Sequence, residues 1–438
     1  MSPSKTFRTR YRKFLAFLLP VHSGVPEELS SNFRHLYWDI AWWGLLNGSS
    51  LAFLTIYAAR LGANTNQIGL VNAMPAVITL ALALPAGAWL EKRRIDKTVF
   101  WTAISQRIFY LFMVILPWFF SDKMQIWILI AFTLIMSIPG SIIATGFNVL
   151  FATAVPSRYR AMVAGRRNAV FAVITVITSL VCGRILTWMP FPGGYQVVFA
   201  IGFIGALMSA IHLRLVHPVL DETDVLNLPV IASSNPEEQQ SPKRGRLLNN
   251  LRSRLHTEAL QGEFARALLL LTFFHFIHYL SIPLFPVFSV KTLNLSDQTI
   301  SLGTALFYVT MFIGSTQMVT FSARLGNKKL TGIGICLLGL YPGLLSFANG
   351  PLLFYLASLF GGFAWSLVNV GMINYLLEKV PSTQRASYLA WFTLSTNAAI
   401  LAGTMLGPVI GNWTGLATAL LLFGILRAVA GLSVLRWG

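Results

Sequence analysis

VPSRYRA, Val155 to Ala161, returns as VPSTQRA, Val380 to Ala386, with five of seven positions identical at an offset of 225 residues. Upstream, LGANTNQIGL (Leu61 to Leu70) meets LNLSDQTISL (Leu293 to Leu302) at an offset of 232, with Leu61, Ile68 and Leu70 falling on Leu293, Ile300 and Leu302. One half of the chain reads as a diverged copy of the other, and an internal repeat fixes the architecture before any other feature. Each VPSxxRA is a short basic loop between two long apolar runs. That is the pattern of a membrane protein with two similar halves.

Composition agrees. Of 438 residues, 55% are hydrophobic and 11% charged, against about 25% charged in a soluble domain. This excludes an ordinary soluble protein; the apolar runs need lipid. A net charge of +18 in a soluble chain would suggest nucleic acid, but here it follows the tendency of Lys and Arg to collect on cytoplasmic loops. No nucleic-acid partner is expected. Cys182 and Cys336 lie in apolar runs and read as small buried hydrophobes, without disulfide or metal spacing.

A helical span needs roughly 20 apolar residues to cross about 30 Å of hydrocarbon. Twelve are predicted, at 34–59, 66–90, 98–120, 125–149, 162–188, 195–217, 265–290, 297–322, 328–348, 351–377, 385–411 and 413–436. The runs are too long for strands and lack their alternation. The expected organisation is a surface segment at 1–33, a six-helix bundle at 34–217, a linker at 218–262 and a second six-helix bundle at 263–438. FRTRYRKFLAFLLP at the start has the outline of a secretory signal, but its apolar part is short and PEEL follows. It reads better as an amphipathic helix setting Arg8, Arg10, Arg12 and Lys13 near anionic headgroups. The linker carries SSNPEEQQSPKRGR, too polar to bury a core. Its end, with Leu247, Leu251 and Leu255 at helical spacing, is expected on the membrane surface.

Lys and Arg are distributed very unevenly between the two sides. One side collects 27, the other holds Arg60, Lys123 and Lys291, and Arg107, Arg184 and Arg427 lie inside spans. This bias places both termini and the linker in the cytoplasm and requires an even number of spans.

Twelve spans in two similar sixes around a cytoplasmic linker resemble the major facilitator superfamily of secondary transporters. That family carries Gly-x-x-x-Asp-Arg-x-Gly-Arg-Lys after span 2. Here GAWLEKRRIDK keeps Gly87, puts Glu91 for the Asp and Lys92 for the Arg, and sets Arg94 at the second Gly. The copy after span 8, ARLGNKK, keeps Arg324, Gly326 and Lys328, with Ala323 where the acid belongs. Span 11 ends in LGPVIG, Leu406 to Gly411, a Gly-Pro pattern common in the family. Of the antiporter pattern in span 5 only Gly183 survives, in LVCGRIL. The resemblance implies two bundles rocking about a central cavity, with substrate held near the midplane. It also implies that loop charges act as latches. Glu91 would pair with a cation at the foot of span 11, with Arg385 in reach, or its neighbours Lys92, Arg93 and Arg94 only enforce topology. Arg160 and Arg385, mates in the repeat, are latch partners or topology markers.

Polar groups inside a span are costly and are candidate sites by default. Asp39, about five residues into span 1, is the carboxylate clearly inside the first half. It either exchanges a proton or binds a cationic solute, or it partners Arg34 or a neighbouring helix. Arg107, about nine residues into span 3, attracts an anionic solute or forms a structural ion pair. Arg427, equally deep in span 12, reads first as a structural ion pair or a snorkelling side chain and second as a group that attracts an anionic solute, and Arg184 reads as snorkelling. His275 and His278 stand at i and i+3 beside Tyr279 and suit a proton relay or hydrogen bonds to neighbouring helices. They make a poor metal site without further ligands. Pro283 and Pro286 are expected to break span 7. Asn47, Trp365 and Asn369 are candidate cavity residues, Trp42, Trp43 and Trp391 belt or core residues, and Gly361 and Gly362 helix-packing positions.

A membrane-embedded lipid enzyme would need clustered catalytic groups, and a sensor or scaffold a folded soluble domain; neither is legible. No phosphate-binding Gly-x-x-x-x-Gly-Lys-Ser/Thr occurs, so energy must come from gradients. The sequence therefore predicts a non-enzymatic, monomeric, plasma-membrane transporter that moves a small solute among membrane lipids, with no cofactor.

Overall fold

The computed structural model describes residues 27–90, 93–219, 260–380 and 385–438. The N-terminal basic segment, most of the linker, and Glu91 and Lys92 lie outside the described residues. Among the described residues there is no strand, and eleven helices are long and apolar enough to cross a membrane. The twelfth is the first. α1 runs Glu27–Leu46, passes through a π turn at Asn47–Leu51 and continues as Ala52–Arg60. The other first-half helices are α2 (Thr65–Leu90), α3 (Ile95–Phe119), α4 (Asp122–Ala154), α5 (Ser157–Trp188) and α6 (Gly193–Arg214).

In the second half, α7 runs Gly262–Ser281 and goes on as Leu284–Val287 and a π turn, Phe288–Thr292. α8 is Asp297–Thr316 with Met318–Leu325, and α9 is Asn327–Leu338 with Leu340–Ser346. α10 (Pro351–Glu378), α11 (Arg385–Thr414) and α12 (Leu416–Trp437) complete it. α7 is interrupted where Pro283 and Pro286 remove amide donors, as the sequence predicts. The first helix of each half also carries a π turn, a distortion frequent at functional sites.

α1 starts seven residues before its predicted span. Leu29, Phe33, Leu36 and Tyr37 recur on one face and are buried in one core cluster. Asn32 secures that turn, donating to the carbonyl oxygens of Ala154 and His217 and accepting from the His217 amide. The helix enters as an amphipathic element, which an apolar run length cannot register.

Helix pairing repeats. α1 packs on α5 and α6, and α3 on α6; six helices later, α7 packs on α11 and α12, and α9 on α12. The LGPVIG pattern explains one such pair. A Cβ on Gly407 would run into the backbone of Leu280, so only glycine lets α11 lie so close to α7. Large apolar side chains such as Trp101, Leu269, Leu352 and Leu432 point outward and remain exposed, as a lipid-facing surface requires.

Two compact units result. One gathers the described residues of Met1–Leu54, Leu84–Ser121 and Ile135–Val225. The second gathers those of Thr55–Ala83, Asp122–Leu134 and Leu226–Gly438. In the second unit Ile56 and Ala59 of α1 share a buried core with Leu280, Leu284, Phe288 and Phe423.

Candidate functional site

In the first unit the polar centre is Asp39, 4% exposed. Its Oδ2 accepts from Arg167 Nη1 at 3.0 Å and its Oδ1 from Ser209 Oγ at 2.6 Å. Arg167 also donates to the Leu36 carbonyl at 2.7 Å and lies over the Phe147 ring at 4.8 Å. Asp39 thus ties α1 to α5 and α6, and its partner is Arg167 rather than Arg34. Arg167 counts among loop cations in the sequence, yet it enters its span about as far as Asp39 enters span 1, from the same side. That equal depth was the available signal.

Arg107 is 3% exposed and stands 5.4 Å from the centroid of Trp43, with Nε and Nη1 lacking hydrogen-bond partners. Asn47, in the π turn, lies 3.5 Å from Thr175 Oγ1 of α5. A second pair carries no sequence signal, since 177 residues separate its members. His35 and His212 meet Nδ1 to Nδ1 at 3.0 Å, and Trp38 stacks on His212. One ring must donate and the other accept.

In the second unit the two histidines of α7 reach different neighbours. His275 donates from Nδ1 to the Leu271 carbonyl at 2.7 Å and meets the Phe392 ring at 5.8 Å. His278 stacks on Trp365 of α10, 5.2 Å between centroids, with Tyr279 edge-on, and its Nδ1 has no hydrogen-bond partner. His278 and Trp365 line a cavity of about 240 Å³ together with Ile282, Phe285, Phe307, Leu338, Tyr341 and Arg427. Arg427 does not snorkel, and among the described residues it forms no ion pair. It is 1% exposed and donates to the carbonyls of Leu338 and His278 and to Ser281 Oγ. Both carbonyls lie in the last turns of helical segments, where amide donors run out. Gly361 and Gly362 shape the cavity walls. A Cβ on the first would strike Tyr341, and on the second the Phe307 backbone. Asn369 is exposed.

The cation-poor end of the second unit holds a clamp that the loop-charge reasoning did not find. Arg60, closing α1, donates from Nε and Nη2 to Asp297 Oδ1 at 3.2 and 3.1 Å, and from Nη2 to the Leu295 carbonyl at 2.6 Å. Lys291 Nζ donates to the Gly62 and Ala63 carbonyls at 3.0 and 2.8 Å. Thr65 Oγ1 meets Asn412 Oδ1 at 3.0 Å. Two of the three cations on the sparse side thus join the α1–α2 loop to the α7–α8 loop.

At the basic end the acid that collects cations among the described residues is Asp96, paired with Arg94 at 3.3 Å and Arg214 at 3.6 Å. Arg160 donates to the Val155 and Ala152 carbonyls and so caps the end of α4. Gly87 lies within α2 and Arg385 opens α11. Arg324 is exposed in the last turn before Gly326, whose φ of +76° makes the turn that glycine favours. Asn327 then donates to Glu378 at 2.6 Å, and Lys379 pairs with Glu263 at 2.7 Å.

The sequence profile of the Major Facilitator Superfamily matches residues 43–277 and 267–438. The chain belongs to that superfamily. It is a multi-pass membrane transporter. The superfamily fold is shared with the nucleoside transporter NupG (TM-score 0.62, 15% identity, 94% of this chain and 100% of that one). It is shared equally with a bacterial homologue of the iron transporter ferroportin in an inward-facing state (TM-score 0.62, 14% identity, 99% and 100%). The quinolone resistance protein NorA of Staphylococcus aureus (strain MRSA252) is 28% identical over 134 residues, 31% of this chain and 33% of NorA. That match spans about a third of either chain.

Proposed function

We propose that this superfamily member is a secondary transporter that carries a small organic solute across the plasma membrane by alternating access, with a proton gradient as its energy source. The observation that carries the reading is the clamp of Arg60, Lys291 and Asp297. It closes one end through charge-assisted bonds on loops, next to the buried contact of Ile56 and Ala59 with Leu280, Leu284 and Phe288, which opening must also separate. With the termini and linker cytoplasmic, the clamped end would face outward, and the clamp would hold that side shut. Rocking would then exchange this clamp for contacts made by the basic loops.

An organic solute is favoured by the buried polar inventory. Arg107, Arg427, His278 and several hydroxyls suit anions and hydrogen-bonding molecules, whereas a metal cation calls for carboxylates and other anionic ligands. The partial match to a quinolone resistance protein points the same way. The unpartnered ring nitrogen of His278 supports proton coupling. The test is counterflow in proteoliposomes with labelled nucleosides, quinolones and aromatic acids. One class should exchange, and an imposed pH gradient should drive its accumulation until a protonophore collapses it. Exchange of none of them, or accumulation indifferent to the protonophore, refutes the corresponding part of the proposal.

A further inference from the structure

We infer that the cavity lined by α7, α8, α9, α10 and α12 is a binding site for a small planar aromatic anion, of the size of a single-ring carboxylate. The first observation is the charge on Arg427. It lies among apolar side chains and is held by neutral acceptors, the carbonyls of Leu338 and His278 and the hydroxyl of Ser281. Among the described residues no carboxylate lies within ion-pair distance of it. A buried charge without a counter-charge is strongly unfavourable, and a ligand anion would supply what the protein omits.

The second observation is a pair of buried nitrogens without hydrogen-bond partners on two of the residues that line the cavity. Arg427 Nε and His278 Nδ1 have no hydrogen-bond partner, and both residues are at least nine-tenths buried. With the Nη arms anchored to helix-end carbonyls, the Nε–H remains to donate. The Nδ1–H tautomer of His278 offers a second donor, and a small turn of either side chain would bring its nitrogen to a carboxylate in the cavity.

The remaining walls are rings. Trp365 lies parallel to His278, while Tyr341 meets Phe285 and Phe307 edge-on at 4.9 and 6.4 Å. Such walls accept a flat apolar body by stacking or edge contact. A cavity of about 150 Å³ accommodates benzene, and this one, at about 240 Å³, adds room for one carboxylate. The inference concerns binding within one compact unit and stands whether or not the bound molecule is the transported one.

The experiment is calorimetric titration of the purified full chain with benzoate, benzamide, benzylamine and cyclohexanecarboxylate. Benzoate should bind at least about tenfold more tightly than its neutral isostere benzamide, the difference expected of a charge-assisted hydrogen bond. Arg427→Gln should remove that preference while leaving benzamide nearly unchanged. Because Arg427 also anchors two helix ends, a second variant leaves it intact. Ile282→Phe fills the cavity and should abolish benzoate binding with the melting temperature held or raised. Benzamide or benzylamine binding as tightly as benzoate overturns the anion assignment. Cyclohexanecarboxylate matching benzoate overturns the aromatic one. Benzoate binding that survives Ile282→Phe overturns the location.

Discussion

Removing Arg60 should release the clamped end. Arg60→Ala deletes two contacts to Asp297 Oδ1 and one to the Leu295 carbonyl. The ion pair is partly shielded, with side-chain exposures of 26% and 15%, and such a pair contributes about 0.5–1 kcal/mol. A charged donor on a carbonyl adds about 1.5 kcal/mol. Together they favour the closed arrangement by about 2 kcal/mol, or roughly thirty-fold in population. Ala63 is fully buried beneath the Lys291 contact. In a Cys182→Ser, Cys336→Ser background, Ala63→Cys should react with an external membrane-impermeant maleimide about thirty-fold faster once Arg60→Ala is added. The charge swap Arg60→Asp with Asp297→Arg should bring the rate most of the way back. Labelling unchanged by Arg60→Ala would remove the clamp from the proposed cycle. An equal rise at a control Ala364→Cys, fully buried in the second unit, would show general loosening and refute the argument as well.

Asp39→Asn leaves Arg167 buried without its counter-charge and should cost about 3–5 kcal/mol, read as a lower melting temperature that Arg167→Gln partly restores. Asp96→Asn should hardly change stability, because its partners Arg94 and Arg214 are 71% and 43% exposed and pairs of that kind contribute about 1 kcal/mol or less. A loss of several degrees in the melting scan would contradict this. Gly407→Leu should prevent α11 from seating on α7, seen as loss of the monodisperse peak in size-exclusion chromatography. Arg107→Met should retain the melting temperature while counterflow falls; unaltered counterflow would remove Arg107 from the solute path.

The sequence by itself determined the architecture, because a spanning helix must satisfy its own backbone and bury apolar residues in lipid. Run length and loop charge therefore express the twelve helices directly, and the proline break of α7 is equally local. Candidate polar residues inside spans were legible for the same reason, since their cost is visible in one dimension. Their partners were not. Asp39 finds Arg167 and Ser209, Arg427 finds two helix-end carbonyls, and Arg60 finds Asp297 across 237 residues. Those pairings depend on helix rotation and on close approaches at positions such as Gly362 and Gly407. Only tertiary packing decides them, because a side chain's neighbour across a helix interface is fixed by three-dimensional distance and has no constant spacing along the chain.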